Sequence, residues 1–290
     1  MEIVSRQLKQ LFGNTVEVVR REAAVGGCIN KGTLLALSNG RTVFLKTGKA
    51  HPEGMLEAEK TGLIALKCSG GPVVPEPLAC FADADNQYLL MTAIETGPKD
   101  KSWARRFGTA MAHLHFEKRS AEPGFGADNY IGSTPQPNPV GGTWGEFFRD
   151  HRIACQMERA IRNRLIDTET AKSLDSLLGR ICELLVEPVN GMSLLHGDLW
   201  EGNTLADSRG APVIIDPAVY FGHREADLAM TELFGRLPAD FYYCYAETWP
   251  LQPGYEDRRD LYNLYHMLNH LNLFGASYLE GVRSIVRRFA

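Results

Sequence analysis

The stretch HGDLWEGN contains two polar side chains five positions apart, Asp198 and Asn203, and Asp216 follows the apolar run PVII. Phosphoryl transfer needs a carboxylate that orients the acceptor hydroxyl and oxygen ligands for Mg²⁺ on the phosphates, and kinase-type catalytic loops use this Asp-to-Asn spacing. Asp198 is therefore predicted to be the catalytic base, and Asn203 and Asp216 are predicted to bind Mg²⁺. Asp and Asn also favour ordinary turns, but the spacing, the flanking apolar runs and the downstream Asp favour catalysis.

Lys46 ends the candidate strand TVFLK and precedes a helical stretch at 53–68. On that helix Glu59 falls within the apolar stripe that starts at Leu56, where an unpaired carboxylate would be costly. A strand lysine and a helix glutamate form the ion pair that positions ATP phosphates in kinase folds. Lys46 is therefore predicted to bind the phosphates of ATP with Glu59 as its partner, although a strand-end lysine taken alone is more often merely solvated.

A glycine-rich turn, GGCINKG, separates the first two candidate strands. Glycine allows backbone N–H groups to approach phosphates, so Gly26, Gly27 and Cys28 are predicted to contact the nucleotide. Met91, in a later candidate strand, is assigned to the same site. A thiol among amide dipoles could be a reactive thiolate, but the favoured interpretation of Cys28 is an ordinary small residue.

The first third of the chain is rich in strand-forming residues. Candidate strands lie at 15–25, 33–38, 42–46, 76–82 and 87–92. Asn39-Gly40 is a strong hairpin signal between the second and third of them. With the helix at 53–68, the order β-β-β-α-β-β predicts an antiparallel sheet carrying one helix, preceded by a short amphipathic helix at the N-terminus.

Beyond about residue 97 the pattern becomes helical. Candidate helices lie at 101–117, 143–162, 168–186, 225–235, 238–248, 256–274 and 276–289. Two stretches interrupt them: 121–142, too rich in Gly and Pro for regular structure, and 192–218, which contains HGDLWEGN. We therefore predict an α+β fold of two lobes, a nucleotide-binding lobe at 1–96 and a larger helical lobe for catalysis and substrate binding at 97–290, with a ligand cleft between them.

The composition is that of an ordinary globular protein, with 44% hydrophobic and 23% charged residues and a formal net charge of -4. A negative net charge argues against nucleic acid or an anionic membrane as the main partner. The six cysteines are scattered without a CxxC pair, a pattern typical of a reducing compartment, so we expect a cytoplasmic protein. No apolar run approaches the roughly 18 residues of a spanning helix, and the N-terminus lacks the apolar segment of a signal peptide.

Other polar residues are not assigned to catalysis. The pairs His113/His115 and His266/His270 lack the pattern of a zinc site. Asp227 begins a candidate helix, where it could complement the helix dipole. It could instead accept hydrogen bonds from the backbone of the catalytic loop.

Three stretches resemble the fructosamine 3-kinase (ketosamine kinase) family, which is related to aminoglycoside phosphotransferases and choline kinases. They are FGADNYIGSTPQPNP (125–139) continuing into WGEFFRDHRI (144–153), LLHGDLWEGN (194–203) and IIDPAVYFGHREADLAMTELFG (214–235). The first stretch, HGDLW and DPAVYFGH are the more family-specific parts, and the resemblance spans nearly the whole chain.

The resemblance implies a protein-kinase-like fold with ATP and Mg²⁺ as cofactors. It also implies phosphorylation of the O3 hydroxyl of a ketosamine, carried by a small amine or a protein lysine, after which the unstable adduct releases the amine. In the family pattern Asp198 is the base and Trp200 lies beside the acceptor, where an indole face could support a sugar or a cation. A packing role for Trp200 is equally compatible with the sequence.

The chain departs from protein kinases at 216–218, where Asp-Pro-Ala replaces Asp-Phe-Gly, and no Ala-Pro-Glu segment is evident. A kinase for another small hydroxylated amine, such as an aminoglycoside or a choline-like compound, is the first alternative. Such sites usually use acidic clusters, and 256–290 mixes acids with arginines. A pseudokinase serving as a binding module is the second alternative, but it would typically lack the lysine, the base or a metal ligand.

Overall fold

The N-terminal part of the chain forms a five-stranded antiparallel sheet with two helices. In the computed structural model, which describes residues 2–24 and 30–289, its elements are α1 (Glu2–Phe12), β1 (Val18–Ala23), β2 (Lys31–Leu37), β3 (Thr42–Lys49), α2 (Met55–Leu66), β4 (Pro77–Ala82) and β5 (Asn86–Thr92). The strand order is β1-β2-β3-β5-β4. The predicted order of strands and helices is therefore confirmed.

The two faces of this sheet bury different helices. Because side chains alternate along a strand, Leu90 of β5 packs in the cluster that contains Val4 and Leu8 of α1, whereas Leu89 packs with Leu56 of α2. The hairpin signal also holds: Gly40 adopts a φ of 81°, a left-handed conformation that glycine reaches without strain. The α2 helix is thus held against the face of β3 and β5 that carries Lys46.

The larger C-terminal part is mainly helical. Its helices are α3 (Trp103–Glu117), α4 (Trp144–Phe148), α5 (Cys155–Arg162), α6 (Thr168–Leu178), α7 (Ile181–Leu184), α8 (Glu225–Leu233), α9 (Ala239–Thr248), α10 (Tyr255–Phe274) and α11 (Leu279–Phe289). Its short strands are β6 (Thr96–Gly97), β7 (Arg119–Ser120), β8 (Asn129–Ile131), β9 (Thr134–Gln136), β10 (Met192–Leu195), β11 (Thr204–Asp207), β12 (Pro212–Ile214) and β13 (Tyr220–Gly222). These strands form small sheets ordered β13-β10-β7, β12-β11-β6 and β8-β9.

The structure corrects three helix and loop predictions. The stretch 121–142 is not wholly irregular, because β8 and β9 form a hairpin within it. A π-helical segment, Arg149–Ala154, separates α4 from α5. The predicted helix 168–186 is broken after α6, where Gly179 is its C-cap residue.

Two global expectations can be compared with the described residues. Cys68, Cys80, Cys155, Cys182 and Cys244 are all free thiols. Among residues 2–24 and 30–289, the helices are too short or too polar to cross a bilayer.

Candidate active site

The HGDLWEGN loop connects β10 to β11 and holds Asp198 beside Asn203. The Asn203 side-chain amide donates to the backbone oxygen of Asp198 at 2.9 Å and to its Oδ2 at 3.1 Å. Gly197 has a φ of 80°, and a Cβ there would lie 2.0 Å from the Ala218 oxygen. The loop therefore needs glycine at this position, and it presents the Asp198 carboxylate next to the segment that bears Asp216.

A buried network beneath the loop fixes its backbone. Asp227 accepts hydrogen bonds from the backbone N–H of His196 at 2.7 Å and of Gly197 at 2.9 Å, and it contacts His115 Nε2 at 3.2 Å. Burial would raise the pKa of Asp227, but the hydrogen bonds from His115 and from the Gly197 N–H hold this pKa below its usual value. Asp227 therefore accepts hydrogen bonds from the backbone of the catalytic loop, which is the structural alternative given in the sequence analysis.

His196 connects the catalytic loop to the strand end at Asp216. Its Nε2 lies 2.9 Å from the Ile215 carbonyl oxygen, which can only accept, so Nε2 carries the hydrogen. Nδ1 then accepts from the backbone N–H of Asp198 at 3.3 Å. Burial lowers the pKa of His196, so the imidazole is neutral and keeps this tautomer.

Lys46 forms the predicted ion pair with Glu59 and a second one with Asp216. Lys46 Nζ lies 2.6 Å from Glu59 Oε2 and 2.8 Å from Asp216 Oδ1, and Lys46 and Glu59 are only 7% and 9% exposed. Burial would lower the pKa of Lys46, but the two carboxylates outweigh it and raise the pKa to about 12. The lysine is therefore a permanent positive charge at the base of the cleft.

The pKa of Asp198 is suited to proton transfer near neutrality. Burial raises it from 3.8 to about 7, the charges of Asp216 and Asp227 add to the increase, and the hydrogen bond from Asn203 opposes it. A general base is most effective when its pKa lies near the operating pH. The environment of Asp198 thus fits the role that its sequence spacing predicts.

One cavity of about 400 Å³ collects these groups. It is lined by Lys46, Glu59, Asp198, Asn203 and Asp216, among other residues. The five side chains come from β3, α2, the catalytic loop and the end of β12, so the fold brings together residues up to 170 positions apart in the chain.

The side of the cavity that holds Trp200 is aromatic and includes α10, which the sequence analysis did not assign to the site. We call this surface the acceptor wall and define it as Trp200, Asn269, His270 and Phe274, all of which line the cavity. The ring centroids of His270 and Phe274 are 5.4 Å apart. Trp200 also packs against Gly202, where a Cβ would lie 2.3 Å from the indole ring. Trp200 therefore both packs within the loop and lines the cavity.

The β8–β9 hairpin forms another part of the cavity lining, and it gives 121–142 a role that its composition did not reveal. Asn129 Nδ2 donates to the Val219 oxygen at 2.7 Å, and Gln136 Nε2 donates to the Ala218 oxygen at 3.0 Å. Tyr130 Oη donates to the Glu53 oxygen at 2.8 Å, in front of α2. The hairpin therefore supports the backbone just after Asp216 and contacts the N-terminal part of the chain.

The remaining predicted nucleotide residues have different outcomes. Gly26, Gly27 and Cys28 lie outside the described residues. Met91 is buried in the cluster with Leu56 of α2 and is not among the residues that line the cavity. Its assignment to the nucleotide site stays a prediction.

The histidine pairs have no metal-site arrangement. Among residues 2–24 and 30–289 there is no cluster of three or more His, Cys, Asp or Glu side chains that could hold a metal ion. His115 belongs to the Asp227 network, and His270 donates from Nδ1 to the His266 carbonyl oxygen at 2.9 Å.

The chain combines a small antiparallel sheet that bears a Lys–Glu pair with a helical part that bears a candidate Asp base and two candidate metal ligands. One cavity is lined by both parts. These features define a protein-kinase-like phosphotransferase. Comparison with known proteins agrees and is more specific. The family model described as fructosamine kinase matches residues 1–290, and the chain belongs to this family. It is an ATP-dependent phosphotransferase.

Individual relatives cover nearly the whole chain. A probable ketoamine kinase of Synechocystis is 38% identical over 287 residues, which cover 99% of this chain and 96% of the relative. The chloroplastic protein-ribulosamine 3-kinase of Oryza sativa is 37% identical over 278 residues, which cover 94% of this chain and 80% of the relative. A crystal structure from Haemophilus somnus, named as a candidate fructosamine-3-kinase, superposes with a TM-score of 0.89 at 27% identity, over 99% of this chain and 96% of the other.

Proposed function

We propose that this chain transfers the γ-phosphate of ATP to the O3 hydroxyl of a ketosamine carried by a small amine or a protein lysine. The observation that carries the proposal is the convergence of Lys46, Asp198, Asn203 and Asp216 on one cavity that Trp200 also lines. The names of the relatives, ketoamine kinase and protein-ribulosamine 3-kinase, support the substrate class. Release of the amine from the phosphorylated adduct would make the reaction a deglycation step.

In this proposal the N-terminal lobe, residues 1–96, binds ATP, and the C-terminal lobe, residues 97–290, binds the acceptor. Lys46 contacts the phosphates and is held by Glu59, while Gly26, Gly27, Cys28 and Met91 complete the predicted nucleotide site. The buried ion pair supports this role because it fixes a cationic head group at the cavity surface.

Asn203 and Asp216 would hold Mg²⁺. Within the described residues, Asn203 Oδ1 and Asp216 Oδ2 accept no hydrogen bond, and carboxylate and amide oxygens are the ligands that Mg²⁺ prefers. Mg²⁺ in kinases commonly uses few protein ligands because phosphates and water supply the rest, so a two-residue site fits. When bound, the ion would neutralise phosphate charge during transfer.

Asp198 performs the proton transfer in the proposed reaction. Its carboxylate accepts the proton of the O3 hydroxyl as that oxygen bonds to the γ-phosphorus, and the bond from phosphorus to the bridging oxygen breaks to release ADP. Asn203 holds one oxygen of Asp198, while Oδ1 accepts no hydrogen bond from the described protein residues. That oxygen is therefore available to the acceptor.

The acceptor wall supports a hydroxylated substrate with a carbon skeleton. Trp200 and Phe274 offer ring surfaces, and Asn269 offers an amide. Burial lowers the pKa of His270, so the ring is neutral; its Nδ1–H is used by the His266 carbonyl oxygen. A neutral imidazole with Nδ1 occupied can accept a hydrogen bond only at Nε2, which suits a sugar hydroxyl.

The test is an ATP-dependent phosphorylation assay with ribulosyl-, erythrulosyl- and fructosyl-lysine as acceptors and kanamycin and choline as controls. NMR of the product would locate the phosphate. Phosphate on O3 of a ketosamine is the expected result and would rank the sugars. Transfer to kanamycin or choline alone would refute the substrate class, and absence of transfer to every acceptor despite ATP binding would favour a binding module.

A further inference from the structure

The helix that carries Glu59 begins without a capping side chain of its own. Gly54 is the N-cap residue of α2, with a φ of 77°, and it makes no side-chain hydrogen bond to the first turn. The first N–H groups of a helix have no partner within the helix, and a buried helix start needs acceptors from elsewhere. Gly54 is exposed, but Leu56 in the first turn is fully buried, so the Leu56 N–H needs an acceptor from outside the helix.

Gln87 of β5 supplies the missing acceptor from a buried position. Its Oε1 accepts a hydrogen bond from the Leu56 N–H at 2.8 Å, and its Nε2 donates to the Lys49 oxygen at 2.6 Å and to the Pro52 oxygen at 2.8 Å. The residue is only 6% exposed. Both amide hydrogens and the amide oxygen are thus used, and all three partners are backbone groups.

The register of the sheet places this side chain between the two elements that bear the ion pair. Gln87 lies opposite Gly48 of β3, where a Cβ would stand 3.4 Å from Gln87 Cγ. Gln87 donates a hydrogen bond to the backbone oxygen of Lys49, three residues after Lys46. It accepts a hydrogen bond from the backbone N–H of Leu56, three residues before Glu59. One buried amide therefore ties the end of β3 to the start of α2.

We propose that Gln87 is a positioning residue that sets the distance between β3 and α2, and thereby holds Glu59 against Lys46. The inference rests on the proposed role of Lys46 at the ATP phosphates. A Lys–Glu pair at 2.6 Å needs both backbones in register. The apolar cluster of Leu56 and Leu89 holds α2 on the sheet, and Gln87 adds directional hydrogen bonds, which fix the register more sharply than apolar packing does. Gln87 acts through this pair and does not touch the reacting groups.

The first experiment compares Gln87→Met with Gln252→Met. The methionine at 87 keeps the length of the side chain and removes three hydrogen bonds. Gln252 is a partly buried glutamine that bonds His223 and the Glu187 oxygen in the C-terminal part of the chain, so its replacement is a control for the loss of amide hydrogen bonds. We expect Gln87→Met to lower kcat/KM for ATP about tenfold, with KM for the acceptor within about twofold of wild type, and Gln252→Met to leave both unchanged.

The second experiment separates positioning from general stability. Since Gln87 acts through Glu59, adding Gln87→Met to Glu59→Gln should lower kcat/KM for ATP little further, whereas independent effects would multiply. Circular dichroism melting would show that each variant is folded at the assay temperature. If Gln87→Met gives too little folded protein, Gln87→Asn keeps an amide on a side chain one methylene shorter, so it weakens all three hydrogen bonds without introducing a charge.

The outcomes distinguish the inference from the proposal beneath it. If Glu59→Gln lowers kcat/KM for ATP and Gln87→Met does not, the positioning role of Gln87 is refuted and the nucleotide role of the ion pair stands. The same conclusion follows if the losses in kcat/KM for ATP multiply in the double variant. A Glu59→Gln variant with normal kcat/KM for ATP would refute the nucleotide role of the Lys46–Glu59 pair and the inference with it. The expected result is that each variant lowers kcat/KM for ATP, that the double variant is little worse than Glu59→Gln, and that KM for the acceptor changes little. This result supports the nucleotide role of the ion pair and the positioning role of Gln87.

Discussion

Asp198→Asn should abolish phosphoryl transfer and at the same time stabilise the folded protein above neutral pH. The replacement is nearly isosteric, and its amide oxygen can still accept the hydrogen bond that Asn203 donates to Asp198 Oδ2 at 3.1 Å. What it removes is the carboxylate charge. That charge lies near two other carboxylates, Asp216 and Asp227, in a partly buried site.

The magnitude follows from the pKa. An aspartate whose pKa rises from 3.8 to about 7 on folding costs the folded state up to about 4 kcal/mol once it is ionised. Asp198 faces the cavity and retains some solvent, so we expect about 1–2 kcal/mol. Because the folded-state pKa is the higher one, the native state is favoured while the group is protonated, and this advantage is lost as the pH rises from about 4 through about 7.

The assay is urea unfolding of wild type and Asp198→Asn, without ATP or Mg²⁺, at pH values from 4.5 to 8. The free energies of unfolding should be similar at the acid end, and the variant should become more stable by about 1–2 kcal/mol at pH 8. In parallel, kcat of the wild type should rise with pH through about 7 as Asp198 loses its proton.

Two results would refute this reasoning. A stability difference between the two proteins that does not change with pH would mean that the pKa of Asp198 is not raised on folding. A kcat of Asp198→Asn close to that of wild type would mean that Asp198 is not the base. The control variant Asp175→Asn alters a carboxylate on α6, outside the cavity lining, and should show neither effect.

The other predictions concern the metal site, the loop support and the acceptor wall. Asp216→Ala should abolish Mg²⁺-dependent ATP binding measured by calorimetry, because it removes the charged metal ligand; an unchanged Mg²⁺ titration would contradict the assignment. Asp227→Asn should lower the free energy of unfolding in urea by about 1–3 kcal/mol, because the amide can accept from only one of the His196 and Gly197 N–H groups; a loss below about 0.5 kcal/mol would argue against that support. Trp200→Leu should raise KM for the ketosamine about tenfold and leave KM for ATP unchanged, as measured by initial rates, whereas equal values for both proteins would leave Trp200 a packing residue.

The candidate catalytic residues could be predicted from the sequence because their signals are local. Asp198 and Asn203 lie on one short loop at a fixed spacing, and Asp216 follows an apolar run that becomes β12. Glu59 was informative because a carboxylate within an apolar helical stripe requires a partner, and the structure supplies Lys46 at 2.6 Å. In each case the prediction rested on the residue type and on a local feature: a fixed spacing, a preceding apolar run or a helical period.

Weaker local signals gave partial or wrong answers. The stretch 121–142 was predicted to lack regular structure because Gly and Pro usually break it. The hairpin Asn129–Gln136 forms there because Asn129 and Gln136 donate to the Val219 and Ala218 carbonyl oxygens, more than 80 residues away in the chain. No window of sequence contains both partners of such a contact.

The sequence by itself therefore determined the class of chemistry and the α+β arrangement, and it supplied the candidate Lys, Asp and Asn groups for the reaction. Only the tertiary structure decided what surrounds them: the α10 residues of the acceptor wall, the hairpin beneath Asp216, and the buried amide of Gln87 between β3 and α2. These residues look like ordinary helix, loop and strand positions in sequence. Their roles arise from side chains that bond distant backbone groups, and such contacts depend on the packing of whole elements and leave no local pattern.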